Sequence, residues 1–255
     1  MIPPPDLDPG GSALFLDIDG TLLEHAAHPD AVFVSADIRG LLATLQQELG
    51  GALAFVTGRS VAMADGLFAP LRLCTAGLYG LEHRLQPGGA VEAADEPADI
   101  AALVEEIEAE FADQNVYIER KGPIVAIHTR AAPHLLDHAA QLVEQASMRL
   151  PRRYRVLAGN AGVELVPVNA TKGAAIRRFM SMAPFRGRRP VFLGDDTSDE
   201  NGFEMVNKGG GISIRVKPRG ATLARYAIAN VAGVLEWLER QTKVAAVASH
   251  RSAEP

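Results

Sequence analysis

The chain has 255 residues, 47% of them apolar, enough to bury one large α/β core or two smaller ones. Its 25 Lys and Arg stand against 31 Asp and Glu, a formal charge of −6 with no long basic run, so nucleic acid is not an expected partner. A single cysteine rules out an internal disulfide and fits a reducing cytoplasm. The first residues lack the basic region and apolar core of a signal peptide, and no apolar stretch of about 18 residues is present, so neither secretion nor a membrane is expected.

The first eleven residues are rich in Pro, Gly and Asp and are expected to fray. So is the tail from about Lys243, which shows no clear periodicity. Ala13–Leu16 then reads as a strand, and it delivers Asp17-Ile18-Asp19-Gly20-Thr21. In an open parallel sheet ligands bind beyond the carboxyl ends of the strands, which puts Asp17 at the mouth of a site where a carboxylate can attack phosphorus. Repulsion between two nearby carboxylates raises the proton affinity of one, so Asp19 can protonate a leaving alkoxide and later deprotonate water. Taken alone, the same residues read equally well as a strand followed by an acidic turn.

Ile38–Leu49 has helical periodicity and Ala52–Val56 is a second strand. Thr57-Gly58-Arg59-Ser60 follows it and leads into a helix N-terminus, which favours anions, and Thr57 is the donor candidate for phosphate oxygens. Cys74, in an apolar run, reads as a buried spectator thiol.

The middle of the chain changes texture. A helix over Ile100–Phe111 precedes strands at Val116–Glu119 and Ile124–His128, joined by Arg120-Lys121-Gly122-Pro123. A helix over His134–Leu150 then precedes strands at Arg153–Leu157 and Val163–Val166. This α-β-β-α-β-β segment forms an α+β domain over 85–168, inserted into a Rossmann-like, doubly wound parallel core over 1–84 and 169–255.

The core resumes with Lys172, which opens a helix from about Gly173 to Met182 and can bridge a phosphate and Asp17. Pro190–Leu193 is a strand ending in Gly194-Asp195-Asp196-Thr197-Ser198-Asp199-Glu200. Acid meeting acid across adjacent strand ends calls for a cation, and oxygen ligands beside a phosphate suit Mg²⁺, with Asp17 and Asp195 as the expected side-chain ligands. Thr197, Ser198 or Asp199 can also cap the helix that follows.

The order Asp-x-Asp-Gly-Thr, Thr-Gly-Arg, Lys-Gly, Gly-Asp-Asp-x-x-Asp resembles the four motifs of haloacid dehalogenase superfamily phosphatases, with the insertion placed as in their C2-capped members. The resemblance implies Asp17 as nucleophile, Asp19 as acid/base, and Thr57 and Lys172 as phosphate ligands. It puts Mg²⁺ on Asp17, the Asp19 backbone carbonyl and Asp195, and counts Gly20 and Arg59 among the substrate-binding residues.

Ile118–Gly122, Ala126–Arg130 and Gly162–Pro167 are similar to cap signatures of trehalose-6-phosphate phosphatases, which implies that Glu119, Lys121 and Glu164 hold sugar hydroxyls. Charge-assisted hydrogen bonds suit a disaccharide, and strand alternation puts Glu119 and Lys121 on one face. One departure stands at Tyr79, in Ala76–Glu82, where a His is expected. The implied activity is Mg²⁺-dependent hydrolysis of trehalose 6-phosphate by a cytoplasmic monomer or weak homodimer. Its cap is expected to hinge near 83–86 and 167–170. Phosphatases of sucrose phosphate or mannosyl-3-phosphoglycerate share the core, and a regulatory phosphate-binding module is the alternative from another class. His25, His28, His83, His128, His134 and His138 show no zinc spacing.

Overall fold

The computed structural model describes residues 2–24, 33–95, 97–150, 154–159 and 162–251; His25, His28, Arg153 and the tip of the second hairpin lie outside them. In chain order the elements are β1 (Ser12–Leu16), α1 (Ala36–Glu48), β2 (Leu53–Val56), α2 (Val61–Phe68), β3 (Cys74–Gly77), β4 (Glu82–Arg84) and β5 (Glu92–Ala93). Then come α3 (Ala98–Glu110), β6 (Tyr117–Lys121), β7 (Ile124–His128), α4 (Leu136–Arg149), β8 (Tyr154–Gly159) and β9 (Gly162–Pro167). The chain ends with α5 (Lys172–Met180), β10 (Arg189–Gly194), α6 (Glu200–Lys208), β11 (Ile212–Val216), β12 (Tyr226–Ile228) and α7 (Val231–Arg251). Two compact units result, Met1–Glu92 with Thr171–Pro255, and Ala93–Ala170.

The first unit is built on a sheet ordered β12-β11-β10-β1-β2-β3-β4-β5. Strand β1 pairs parallel to β2 on one side and to β10 on the other, so the order reverses between β1 and β10. That reversal is where open α/β sheets bind ligands. All five residues of β1 are buried, as expected for a strand covered on both faces. Phe15 stacks on Phe185 at 5.4 Å between centroids and meets Phe179 of α5 at 6.0 Å. These rings seat α5 against β1.

The first unit runs to Glu92 rather than to 84, because beyond β4, which pairs antiparallel with β3, the short β5 adds to the edge of the same sheet. Arg84 is buried and forks onto Asp65 with two bonds of 2.6 Å, so residues 83 and 84 are fixed in the core sheet, where a hinge was expected. Fraying is likewise corrected at the N-terminus and, as far as Arg251, at the C-terminus, residues 252–255 lying outside those described. Ile2 bridges Tyr226, Leu7 is buried, and its N–H donates to Gln241 Oε1 at 2.8 Å, while α7 continues past Lys243 to Arg251. Composition identifies segments poor in periodicity, but the polar partner that satisfies this one is 234 residues away.

The second unit is an antiparallel sheet ordered β6-β7-β9-β8. Helices α3 and α4 cover one face, packing Ile100, Val104, Ile107 and Val143 on Val125, Ile127, Val163 and Leu165. Lys121 pairs with Ile124, leaving Gly122-Pro123 as the turn, with Gly122 at φ +59°. Arg120 and Lys121 therefore belong to the strand rather than to the connection. No helix among the described residues is long and apolar enough to cross a membrane.

Two buried titratable groups in the first unit are pushed toward neutrality. Burial raises the Cys74 thiol to about 11, as fits a spectator. Burial and the Arg178 guanidinium, 3.2 Å from Nδ1, lower His83 from 6.5 to about 4. Above 6.5 the imidazole is neutral whether the chain is folded or not, so its contribution to stability is complete there. Below 6.5 the unfolded chain takes up the proton first, and stability falls by about 1.4 kcal/mol per pH unit until the folded value near 4 is reached, roughly 3 kcal/mol in all. His83→Gln is expected to flatten this slope in urea titrations between pH 6.5 and 4. An unchanged slope would assign the loss to other groups.

Candidate active site

Leu16 pairs with Leu193 at the ends of β1 and β10, and Asp17 N–H donates to Leu193 O at 3.1 Å, so Asp17 and the Gly194-Asp195 corner emerge at the same level. Lys172 enters between them. Its Nζ donates to Asp17 Oδ1 at 2.7 Å and to Asp199 Oδ1 at 2.6 Å, and all three side chains are buried. A cation in the first turn of a helix opposes the dipole, so α5 gains nothing from Lys172 there, and the two carboxylates account for its placement.

Asp17, Asp195 and Asp199 bring carboxylate oxygens within 4.8 Å of one another. Burial, with Asp199 and Asp195 adding to it, holds Asp17 well above the usual carboxylate range despite Lys172, and burial also raises Asp199. Burial alone would lower Lys172, but the two carboxylates outweigh it and hold the ammonium above its ordinary value. Three carboxylates around one cation leave a surplus of negative charge at this edge. The donors are all hard oxygens, a set suited to a hard divalent ion such as Mg²⁺.

From the sequence Asp199 closes the Gly-Asp-Asp-x-x-Asp motif and is a cap candidate, with no partner assigned to it. In the structure the cap is Asp196, whose Oδ1 accepts from Thr197 N at 2.7 Å, while Asp199 accepts from Asp196 N at 2.9 Å and from Lys172. The signal that could have found it is the approach at Gly194, where any Cβ would fall 2.3 Å from Asp199 Cγ. A glycine placed before an acidic run thus makes room for the third acid of that run. Arg215 of β11 was also missed: it is buried and donates to Asp196 O at 2.7 Å and Glu200 Oε1 at 3.1 Å, pinning the acidic corner from the neighbouring strand. Nothing in Ile-Ser-Ile-Arg-Val marks it.

Asp19 is not turned toward this cluster. Arg59 grips both of its oxygens, Nε to Oδ2 at 2.6 Å and the outer nitrogen to Oδ1 at 2.7 Å. Gly20 takes φ +79° and spends its N–H on Leu23 O at 2.7 Å. Thr57, at the end of β2, is buried, and its hydroxyl accepts from Arg59 N at 3.1 Å. Tyr79 has φ +56°, donates its N–H to Thr57 O at 3.0 Å, and lays its ring where a Cβ on Gly58 would stand. Tyr79, where a His was expected, therefore supports the loop of Thr57 and Gly58.

In the second unit, Glu119, Ala126 and Glu164 are aligned across β6, β7 and β9. Lys121 Nζ lies 2.9 Å from Glu164 Oε1 and 3.1 Å from Glu119 Oε2, so the three expected sugar ligands form one cluster on the face away from the helices. Burial would lower Lys121, but its two glutamates hold it above its ordinary value; burial would raise Glu119, but His128 and Lys121 hold it below.

A family model described as trehalose-phosphatase matches residues 15–230. The chain is 46% identical over 207 residues to a probable trehalose-phosphate phosphatase of Sinorhizobium fredii, covering 81% of this chain and 78% of that one. It is 40% identical over 233 residues to the trehalose-6-phosphate phosphatase of Escherichia coli, covering 90% and 86%. Its fold is similar to that of the C-terminal domain of a trehalose-6-phosphate phosphatase of C. albicans, at TM-score 0.78 and 18% identity, covering 94% and 98%.

Proposed function

The chain belongs to the trehalose-phosphatase family, and from that premise we propose that it hydrolyses trehalose 6-phosphate to trehalose and phosphate through an aspartyl-phosphate on Asp17. The observation that carries this reading is the buried Asp17–Lys172–Asp199 cluster at the switch point of the sheet. An Asp17 oxygen attacks phosphorus as the bond to the sugar oxygen breaks, and Asp19 gives that oxygen its proton. Asp19 then takes a proton from water, the water oxygen attacks the phosphoryl group, and the Asp17 carboxylate is restored. Arg59 occupies both Asp19 oxygens, so one of them has to be released before Asp19 can donate.

Lys172 holds Asp17 in place, and Thr57 offers a hydroxyl to the non-transferring oxygens. Asp17, Asp195 and Asp199 would hold Mg²⁺, which when bound supplies the positive charge that three clustered carboxylates, two of them buried, call for. Glu119, Lys121 and Glu164 receive the sugar hydroxyls. Truncating them should weaken discrimination between sugars more than it slows turnover of a simple ester.

The test is phosphate release by the purified chain from trehalose 6-phosphate, sucrose phosphate, glucose 6-phosphate and mannosyl-3-phosphoglycerate, with and without EDTA. Release is expected to be fastest from trehalose 6-phosphate, to stop in EDTA and to return with Mg²⁺. Preference for another sugar phosphate would sink the substrate assignment, and activity that survives exhaustive chelation would sink the metal.

A further inference from the structure

We infer that Tyr117 and His128 form an aromatic step that receives the sugar ring bearing no phosphate, extending the Glu119–Lys121–Glu164 cluster along the face of the sheet. This rests on the reading above, in which those three residues hold the hydroxyls of a disaccharide.

Tyr117 is 65% exposed. One exposed aromatic is ordinary by itself, and its surroundings are what set this one apart. Tyr117, Glu119 and Lys121 alternate along β6 and so share a face. Tyr117 is directly paired with His128 across β6 and β7, and their rings are stacked, 5.5 Å between centroids and 21° between planes. His128 Nε2 lies in turn 2.9 Å from Glu119 Oε2, and since a carboxylate only accepts, the imidazole donates. The stack and the charged cluster are therefore one connected array. That bond fixes the plane of the imidazole, and the imidazole fixes the plane of the phenol.

The array matches the two kinds of surface that a glucopyranose ring presents. Its rim of equatorial hydroxyls requires charged or polar partners, which Glu119, Lys121 and Glu164 supply. Its faces are C–H groups with a slight positive charge, which suit the negative face of an aromatic ring. From Tyr117 to Lys121 the strand advances four residue steps, about 13 Å, a length on which two pyranose rings joined by one oxygen can lie. Because the rings are held before any ligand arrives, little rotamer freedom is lost on binding.

The test measures KM for trehalose 6-phosphate and for glucose 6-phosphate, which lacks the second ring, together with the inhibition constant of free trehalose. It uses the full-length wild type, Tyr117→Ala and Tyr117→Phe. Tyr117→Ala is expected to raise the ratio of the two KM values about tenfold and to weaken trehalose inhibition by a similar factor. Tyr117→Phe keeps the ring and is expected to stay within about twofold of the wild type on both, a rescue that a purely structural role of the hydroxyl would not give. A wild type that prefers the disaccharide while Tyr117→Ala leaves the ratio unmoved, or raises both KM values alike, overturns the aromatic step alone. A wild type with no preference for the disaccharide overturns the substrate reading and the step with it.

Discussion

Asp17→Asn is expected to remove turnover of every phosphate ester by roughly four orders of magnitude or more, with no loss of fold. An amide offers no anionic oxygen to phosphorus, so no covalent intermediate forms, and losses of this size are what removing a nucleophile brings. The fold is spared for an electrostatic reason. Burial, Asp199 and Asp195 together make the ionised Asp17 unfavourable in the folded chain, so a neutral group of the same shape relieves strain in the cluster, and Lys172 keeps Asp199 as a partner. Thermal melts in EDTA should place Asp17→Asn at or above the wild type. Asp19→Asn provides the contrast: it removes a proton carrier outside the buried cluster and should slow turnover by about 10²–10⁴ while leaving Mg²⁺ affinity, read by calorimetry, largely intact. Appreciable turnover by Asp17→Asn would refute the covalent route.

The parts of this site that are legible in the sequence are those fixed by short-range order. A strand that ends in an acid places that acid at a sheet edge whatever the rest of the chain does, so Asp17, Thr57 and Asp195 follow from local pattern alone. Glu119 and Lys121 share a face because of strand alternation, and the register that puts Glu164 beside them follows once β7 lies between β6 and β9. Partners chosen across the fold are not legible in this way. Asp199 reads as a cap because a cap is what local geometry can see, and its role depends on a lysine 27 residues earlier. Arg215 and the Asp19–Arg59 fork have the same character, since each joins loops from different strands. The N-terminal segment fails for a related reason. Low periodicity predicts fraying only if no distant side chain meets the backbone, and Gln241 does so.

Lys172→Met is the substitution expected to damage both fold and activity, and the way it does so separates the two. The ammonium is the cation bonded to both buried carboxylates, at 2.7 and 2.6 Å, and removing one partner of a buried ion pair costs about 3–5 kcal/mol because the remaining charge stays in place. The deficit should depend on pH. Asp17 and Asp199 already sit above the usual carboxylate range through burial, and loss of Lys172 pushes them further up. A carboxyl group whose folded value exceeds its unfolded one favours the folded chain at low pH, and that support disappears as pH rises through the folded value. Urea denaturation of Lys172→Met in EDTA should therefore show the smallest deficit near pH 5 and the largest at neutral pH, and added Mg²⁺ should recover part of it. Combining Lys172→Met with Asp199→Asn removes a charge of each sign and should restore most of the stability without restoring turnover. A double variant as unstable as the single one would mean that Lys172 supports the fold by packing, and the electrostatic account of the cluster would fall.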